Sequence, residues 1–351
     1  MKHFSQGIRK LQNFLLFGTL AAGTLLLAPG CTKEDNAVAV LSITPIASGL
    51  KGPLGLEIGS NGWVWVAQGG TGANDGKVSV ITTDGKFFDV ITGFPSVPSP
   101  GGEPDGPSHL MFANDSLYVL GTGGKMYIVA RSALNPGVTV LPVSSMKVQD
   151  IGAFVLAYPF VANAHDTHPY NFTTGPNGDM YIADAAANAI LRREKNGNLS
   201  VVAEVPGFAN PTPVGPPAVE SVPTGIYYDG QAFYITTLTG FPFAAGVSAI
   251  YRLTPAASGL ATPVIYQRGF TTGVDIAQGT AAAGKVVLEH GSFNPAAGGW
   301  VPNTGRLLWA NGSTITPIAT GLNLPAGLKQ ADEHTWYVTS FGDNTVLKIT
   351  N

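Results

Sequence analysis

Short apolar runs, many of them alternating with polar residues, follow one another along the chain, separated by glycine, proline, asparagine and aspartate. Trp63-Val64-Trp65-Val66-Ala67 is one, introduced by Asn61-Gly62. Leu117-Tyr118-Val119-Leu120 follows Asn114-Asp115, and Met180-Tyr181-Ile182-Ala183-Asp184 follows Asn177-Gly178. Ala232-Phe233-Tyr234-Ile235-Thr236, Val286-Val287-Leu288-Glu289 and Trp336-Tyr337-Val338-Thr339 complete the set. A period of two is that of a strand, and Asn-Gly or Asp-Gly supplies the positive φ angles of tight hairpins. No stretch beyond residue 31 keeps a helical apolar period, so helices are not expected.

A recurring phrase precedes each run. Its copies are Gly52-Pro53-Leu54-Gly55-Leu56, Gly106-Pro107-Ser108-His109-Leu110, His168-Pro169-Tyr170-Asn171-Phe172, Val222-Pro223-Thr224-Gly225-Ile226, Thr271-Thr272-Gly273-Val274-Asp275 and Leu324-Pro325-Ala326-Gly327-Leu328. Successive copies are roughly fifty to sixty residues apart, the span of a four-stranded blade with its loops. Third strands are expected at 77–81, 125–129, 189–193, 249–253, 305–308 and 345–349, and outer strands at positions such as 87–91 and 199–205. The pattern predicts an all-β, six-bladed β-propeller over residues 38–351.

The sixth unit ends at Asn351 with three strands. The missing fourth is expected from the chain start, at residues 38–47. Residues 41–50 (LSITPIASGL) match residues 313–322 (STITPIATGL) at seven positions and exchange Ser for Thr at two more. The first segment therefore looks like the outer strand of another blade. Pairing it beside the last sheet closes the ring and removes a sheet edge that invites aggregation.

Residues 1–31 read as a lipoprotein signal. Lys2, Arg9 and Lys10 precede a short apolar run, and Leu27-Ala28-Pro29-Gly30-Cys31 resembles a lipobox with Cys31 as the acylated residue. Residues 32–37 read as a polar linker, and Thr32-Lys33-Glu34-Asp35 resembles an export tag of surface lipoproteins. An outer-membrane lipoprotein of a Gram-negative bacterium, exposed at the cell surface, is expected. Cys31 is the only cysteine, so the folded part has no thiol for a disulfide. Formal charge −3 becomes −6 when the three basic residues of the signal are removed. No basic cluster remains, which excludes nucleic acid as a partner. Charged residues make up only 12%, against 45 glycines and 26 prolines, a composition suited to many short strands and tight turns. A monomer is expected.

The blade sequences resemble NHL-type propellers and, more narrowly, the ScyD/ScyE family. The likeness rests on residues 52–67, on His168-Pro169-Tyr170-Asn171-Phe172 with Asn188-Ala189-Ile190-Leu191-Arg192, and on Leu238-Thr239-Gly240-Phe241-Pro242-Phe243 with Ile250-Tyr251-Arg252. It implies a six-bladed propeller outside the cytoplasm and brings no catalytic set. The chain departs from the family pattern at Asn163-Ala164-His165-Asp166-Thr167-His168, where two histidines enter the loop.

Known catalytic signatures are missing: there is no Gly-x-Ser-x-Gly elbow, His-Glu-x-x-His, P-loop or dinucleotide fingerprint. His165, Asp166 and His168 share one loop and offer donors for a divalent ion. Asp275, Glu289 and His290 are expected to converge near the channel, where calcium-dependent lactonase propellers use carboxylates and amides from several blades. Asp184 is expected to accept backbone N–H groups of a turn instead. His109, Asn171 and Thr224 follow the repeated phrase at similar offsets and are expected to line a polar funnel. Trp300, in the Pro/Gly-rich loop 292–304, is a candidate contact, as are the long loops 93–106 and 208–219.

The expected function is a lipid-anchored module that binds a partner protein, glycan or small molecule on its loop face and needs no cofactor. Two alternatives stand beside it: a calcium-dependent lactonase or lyase of an extracellular small molecule, and a scaffold in envelope assembly.

Overall fold

A computed structural model describes residues 40–99, 104–162, 165–256, 259–279 and 284–351. The residues read as a signal (1–31, with Cys31) and as a linker (32–37), Val38 and Asn163-Ala164 lie outside them.

Six sheets make six blades, each of four antiparallel strands, with Leu141–Pro142 added in parallel at the outer edge of the first. Their inner strands are Pro53–Ile58, Leu110–Ala113, Pro169–Thr174, Pro223–Tyr228, Gly273–Gln278 and Pro325–Asp332. Each touches the inner strand of the next blade, and the sixth touches the first, so the ring is closed. The third strands fall where the pattern puts them: Ala189–Arg193 coincides with its expected range, and Ser248–Leu253 and Thr345–Thr350 differ by one residue.

The chain start closes the circle. Ser42–Ser48 pairs antiparallel with Thr345–Thr350, from Ser42 opposite Thr350 to Ser48 opposite Thr345. Its sequence twin, Thr314–Leu322, is the outer strand of blade 5. Val346 of the last blade packs with Leu50, Leu56, Val64 and Val66, which ties the sixth blade to the first. Elsewhere the core lies between neighbouring sheets: Leu120 and Met126 of blade 2 meet Phe172, Met180 and Leu191 of blade 3. Each such side chain contributes about 2 kcal/mol by leaving water.

Two features were not legible in the pattern. A seven-residue helix, Ile151–Ala157, links blades 2 and 3; the Asp150 carboxylate caps it by accepting the Ala153 N–H at 2.9 Å. It buries Ile151 and Val155 and is too short to display a period. The long loops also hold small ribbons of their own: Phe208–Ala209 pairs with Ala218–Val219, and Phe293–Asn294 with Gly299–Trp300.

Candidate functional site

The repeated phrase has a structural meaning at one position, the third residue of five inner strands and, in blade 2, the residue just before Leu110. That position holds Gly55, His109, Asn171, Gly225, Asp275 and Gly327 around the axis. Register shifts occur there in the pairing of five inner strands with their neighbours, consistent with a bulge that re-aims the side chain. Two of the three glycines make room for a polar neighbour of the layer, and the third, Gly327, for the backbone of blade 1. A Cβ on Gly55 would lie 2.6 Å from the His109 Cα, and one on Gly225 would lie 2.5 Å from the Asp275 Cα.

The polar three form a buried layer. Asn171 Nδ2 donates to Asp275 Oδ1 at 2.9 Å. Asp275 also accepts the Ile276 N–H and, across to blade 6, the Leu328 N–H, both at 2.8 Å. His109 Nε2 stands 3.9 Å from Asp275 Oδ2, and neither ring nitrogen of His109 has a hydrogen bond of ordinary geometry. Burial pushes the Asp275 carboxyl up to about 6. Burial also pulls the His109 imidazole down to about 3, and the charge of Lys329 adds to that.

This layer separates two cavities. On the loop side is a funnel of about 190 Å³, whose lining includes His168, Tyr170, His290 and Trp300, with Thr224, Val274 and Ala326 from the residues just before the layer. On the other side a cavity of about 540 Å³ begins at Asn171 and Asp275 and includes Tyr227, Gln278 and Lys329. Lys329 Nζ is held 3.0 Å from Glu57 Oε2 there.

The funnel is built of rings. Trp300 packs edge-on against His290, with centroids 4.7 Å apart, and is backed by Phe243 at 4.9 Å and Phe293 at 5.1 Å. Tyr170 lies over His109 at 4.7 Å. His290 Nδ1 is 3.0 Å from the Pro325 carbonyl oxygen, which can only accept, so the proton sits on Nδ1. His168 is fixed through its backbone: Asp184 accepts its N–H at 2.8 Å, together with the Thr167 hydroxyl and the Ala187 N–H. Asp184 is thus the turn acceptor that its place at a strand end suggests, and burial raises its pKa.

The structure redistributes the expected site residues. Thr224 is not level with His109 and Asn171 but one place earlier, equivalent to Tyr170, and its hydroxyl donates to the Gly273 carbonyl at 2.7 Å. Glu289 turns away from the channel: its carboxylate takes Arg306 Nε at 2.7 Å, Nη2 at 2.6 Å and the Thr271 N–H at 2.8 Å. His165 and Asp166 are exposed, and Asp166 accepts the N–H of Thr167. Hence Asp275, Glu289, His290, His165, Asp166 and His168 do not gather into one set: His168 and His290 share the funnel wall, while Asp275 lies in the layer below, Glu289 is held by Arg306, and His165 and Asp166 are exposed. No group of three or more His, Cys, Asp or Glu side chains suited to a metal ion forms among the described residues. Of the proposed donors, Glu289 is engaged by Arg306 and the Thr271 N–H, and Asp275 by Asn171 and two backbone amides.

Sequence reasoning missed Asp105, Tyr170, Phe243 and Phe293. Asp105 comes from the long loop 93–106, and Phe243 from the Leu-Thr-Gly-Phe-Pro-Phe run, so the signals were present without a partner to give them meaning. Asp105 Oδ1 is enclosed without a hydrogen-bond partner and lies 3.9 Å from His168 Nδ1.

No family model matches the chain. No curated protein matches it either. Solved structures do. A gluconolactonase from Xanthomonas campestris superposes with a TM-score of 0.56 at 8% identity, covering 88% of this chain and 89% of that one. The PQQ-bound aldose sugar dehydrogenase from Streptomyces coelicolor gives 0.55 at 14% identity, covering 89% and 98%. A protein of unknown function from Bacteroides thetaiotaomicron gives 0.56 at 13% identity, covering 89% and 76%. At these identities the likeness establishes the fold and nothing finer.

Proposed function

We propose that this chain is a lipid-anchored, extracytoplasmic propeller that binds a small, neutral, ring-bearing molecule in its loop-face funnel. The observation that carries the reading is the wall of the funnel: Trp300, His290, Tyr170 and His168 surround a space of about 190 Å³. Ring faces receive the apolar face of a sugar or a planar ring, and the imidazole and phenol edges supply hydrogen bonds. No lysine or arginine lines the funnel among the described residues, so it holds no fixed positive charge for an anion.

Membership in the ScyD/ScyE family and anchoring at the outer membrane through Cys31 belong to the same proposal. They are supported by the quoted blade motifs and by the lipobox-like Leu27-Ala28-Pro29-Gly30-Cys31. Two measurements test it. Titration of the purified chain with neutral monosaccharides and with simple phenols, followed by tryptophan fluorescence and calorimetry, gives saturable binding that Trp300→Ala weakens about tenfold. Cys31→Ser moves the protein from the membrane fraction to the soluble one. Absence of binding across both compound classes removes the funnel reading, and an unchanged distribution removes the anchor.

A further inference from the structure

We propose that Asp105 and His168 form a general-base pair at the funnel, and that the chain hydrolyses a neutral ester or lactone bound there. This rests on the small-molecule reading of the funnel and adds a reaction to it.

The argument begins with an unmet polar atom. Asp105 Oδ1 is enclosed by protein and has no hydrogen-bond partner. Leaving a buried acceptor unsatisfied costs about 1–3 kcal/mol, and more for a charged one. His168 Nδ1 faces this oxygen at 3.9 Å. A movement of about one ångström turns that approach into an ordinary charge-assisted hydrogen bond.

Both partners are held from behind. The backbone of Asp105 exchanges two hydrogen bonds with Val97, at 2.8 and 2.9 Å, and its carbonyl accepts the Thr122 hydroxyl at 3.1 Å. The backbone of His168 is pinned by Asp184 at 2.8 Å, immediately before the inner strand begins at Pro169. The pair therefore joins a loop ahead of blade 2 to the loop ahead of blade 3. A carboxylate at Nδ1 keeps the proton on that nitrogen and leaves Nε2 with its lone pair. His168 lines the funnel beside Tyr170, so this base borders the space where a ligand sits.

The chemistry balances with water as the only co-reactant. Nε2 of His168 takes a proton from water while the water oxygen bonds to the carbonyl carbon. The tetrahedral adduct then breaks its bond to the leaving oxygen, which takes the proton back from the imidazolium. Ester plus water becomes acid plus alcohol, and His168 returns to its starting form. Asp105 touches no reacting atom; it orients the imidazole and stabilises its cation. Its negative charge disfavours anionic substrates, and the ring-lined wall favours a neutral one.

The test uses the purified chain with p-nitrophenyl acetate, γ-butyrolactone and δ-gluconolactone, in the presence of chelator, against the rate in buffer alone. The wild type turns over at least one of them above that rate. His168→Gln lowers kcat by roughly a hundredfold or more, the usual worth of a general base. Asp105→Asn lowers kcat with little change in KM, because the imidazole is no longer oriented from behind. Asp105→Glu restores part of the rate. His334→Gln, on an exposed turn, leaves it unchanged. Thermal melts establish that each variant is folded. No turnover of all three compounds by the wild type, or full activity in His168→Gln, overturns the proposal. Saturable binding without turnover leaves the funnel reading standing and ends the catalytic one; absence of both ends the two together.

Discussion

Asn171 and Asp275 lie 104 residues apart in the chain and meet at the propeller axis, amide nitrogen to carboxylate oxygen, at 2.9 Å. The contact spans from blade 3 to blade 5, and Asp275 reaches further to the Leu328 N–H of blade 6. One carboxylate thus ties three blades. His109, from a fourth blade, completes the layer.

The layer sets a pH response. His109 has its folded pKa pulled down to about 3 from 6.5, so between these values the unfolded chain binds the proton and the native one does not. Stability from this group falls as pH falls, by about 1.4 kcal/mol per pH unit. Asp275 has its folded pKa raised to about 6 from 3.8, so the native state binds the extra proton in that window. Its contribution rises as pH falls, with the opposite slope. The two nearly cancel between pH 4 and pH 6. His109→Gln, compared with wild type by urea unfolding across that range, gains stability on acidification, and Asp275→Asn loses it. Parallel pH curves for all three proteins would refute the assignment.

Arg306 is the counterion of a buried carboxylate. Glu289 is only 1% exposed and receives two guanidinium hydrogen bonds. Arg306→Ala leaves that charge uncompensated and lowers unfolding free energy by about 3 kcal/mol, read as a shift in the urea midpoint. Because Glu289 and Asp275 are satisfied within the protein, chelator leaves the melting temperature unchanged. A fall reversed by calcium would contradict this.

Gly327 has no room for a side chain. A Cβ there would stand 2.4 Å from the Leu54 carbonyl oxygen and 3.0 Å from the Gly55 Cα. Gly327→Ala forces blades 6 and 1 apart at the axis and costs about 2 kcal/mol, the usual penalty of overpacking. Gly299→Ala, where a Cβ meets nothing within 4 Å, is the control and melts with the wild type.

Ring closure depends on Ser42–Ser48. A chain beginning at Gly49 exposes the backbone groups of Thr345–Thr350 as an unpaired edge. It melts at lower temperature and self-associates in light scattering. Equal melting of the two chains would mean that the sixth blade holds without its outer strand.

The blade architecture was legible because blades are local. A hairpin needs only its turn and its two alternating strands, so Asn177-Gly178, with φ of 62° and 72°, can be read before any partner is known. Closure was legible for a different reason: an outer strand carries the same pattern in any blade, and the chain start repeats that of blade 5. Site chemistry obeyed neither rule. Glu289 and Asp275 look alike as strand carboxylates, yet one meets Arg306 from the third strand of its own blade and the other faces Asn171 across the axis.

The amino-acid sequence by itself determined the strands, the turns, the number of blades and the segment that completes the last one, since period-two burial and turn preference act over a few residues. Only the tertiary structure decided which phrase positions share the axis, that Gly55 and Gly225 make way for His109 and Asp275, and that Asp105 comes to stand beside His168. Those relations join residues tens to hundreds of positions apart, and their energies depend on distances that exist only once the six sheets have closed.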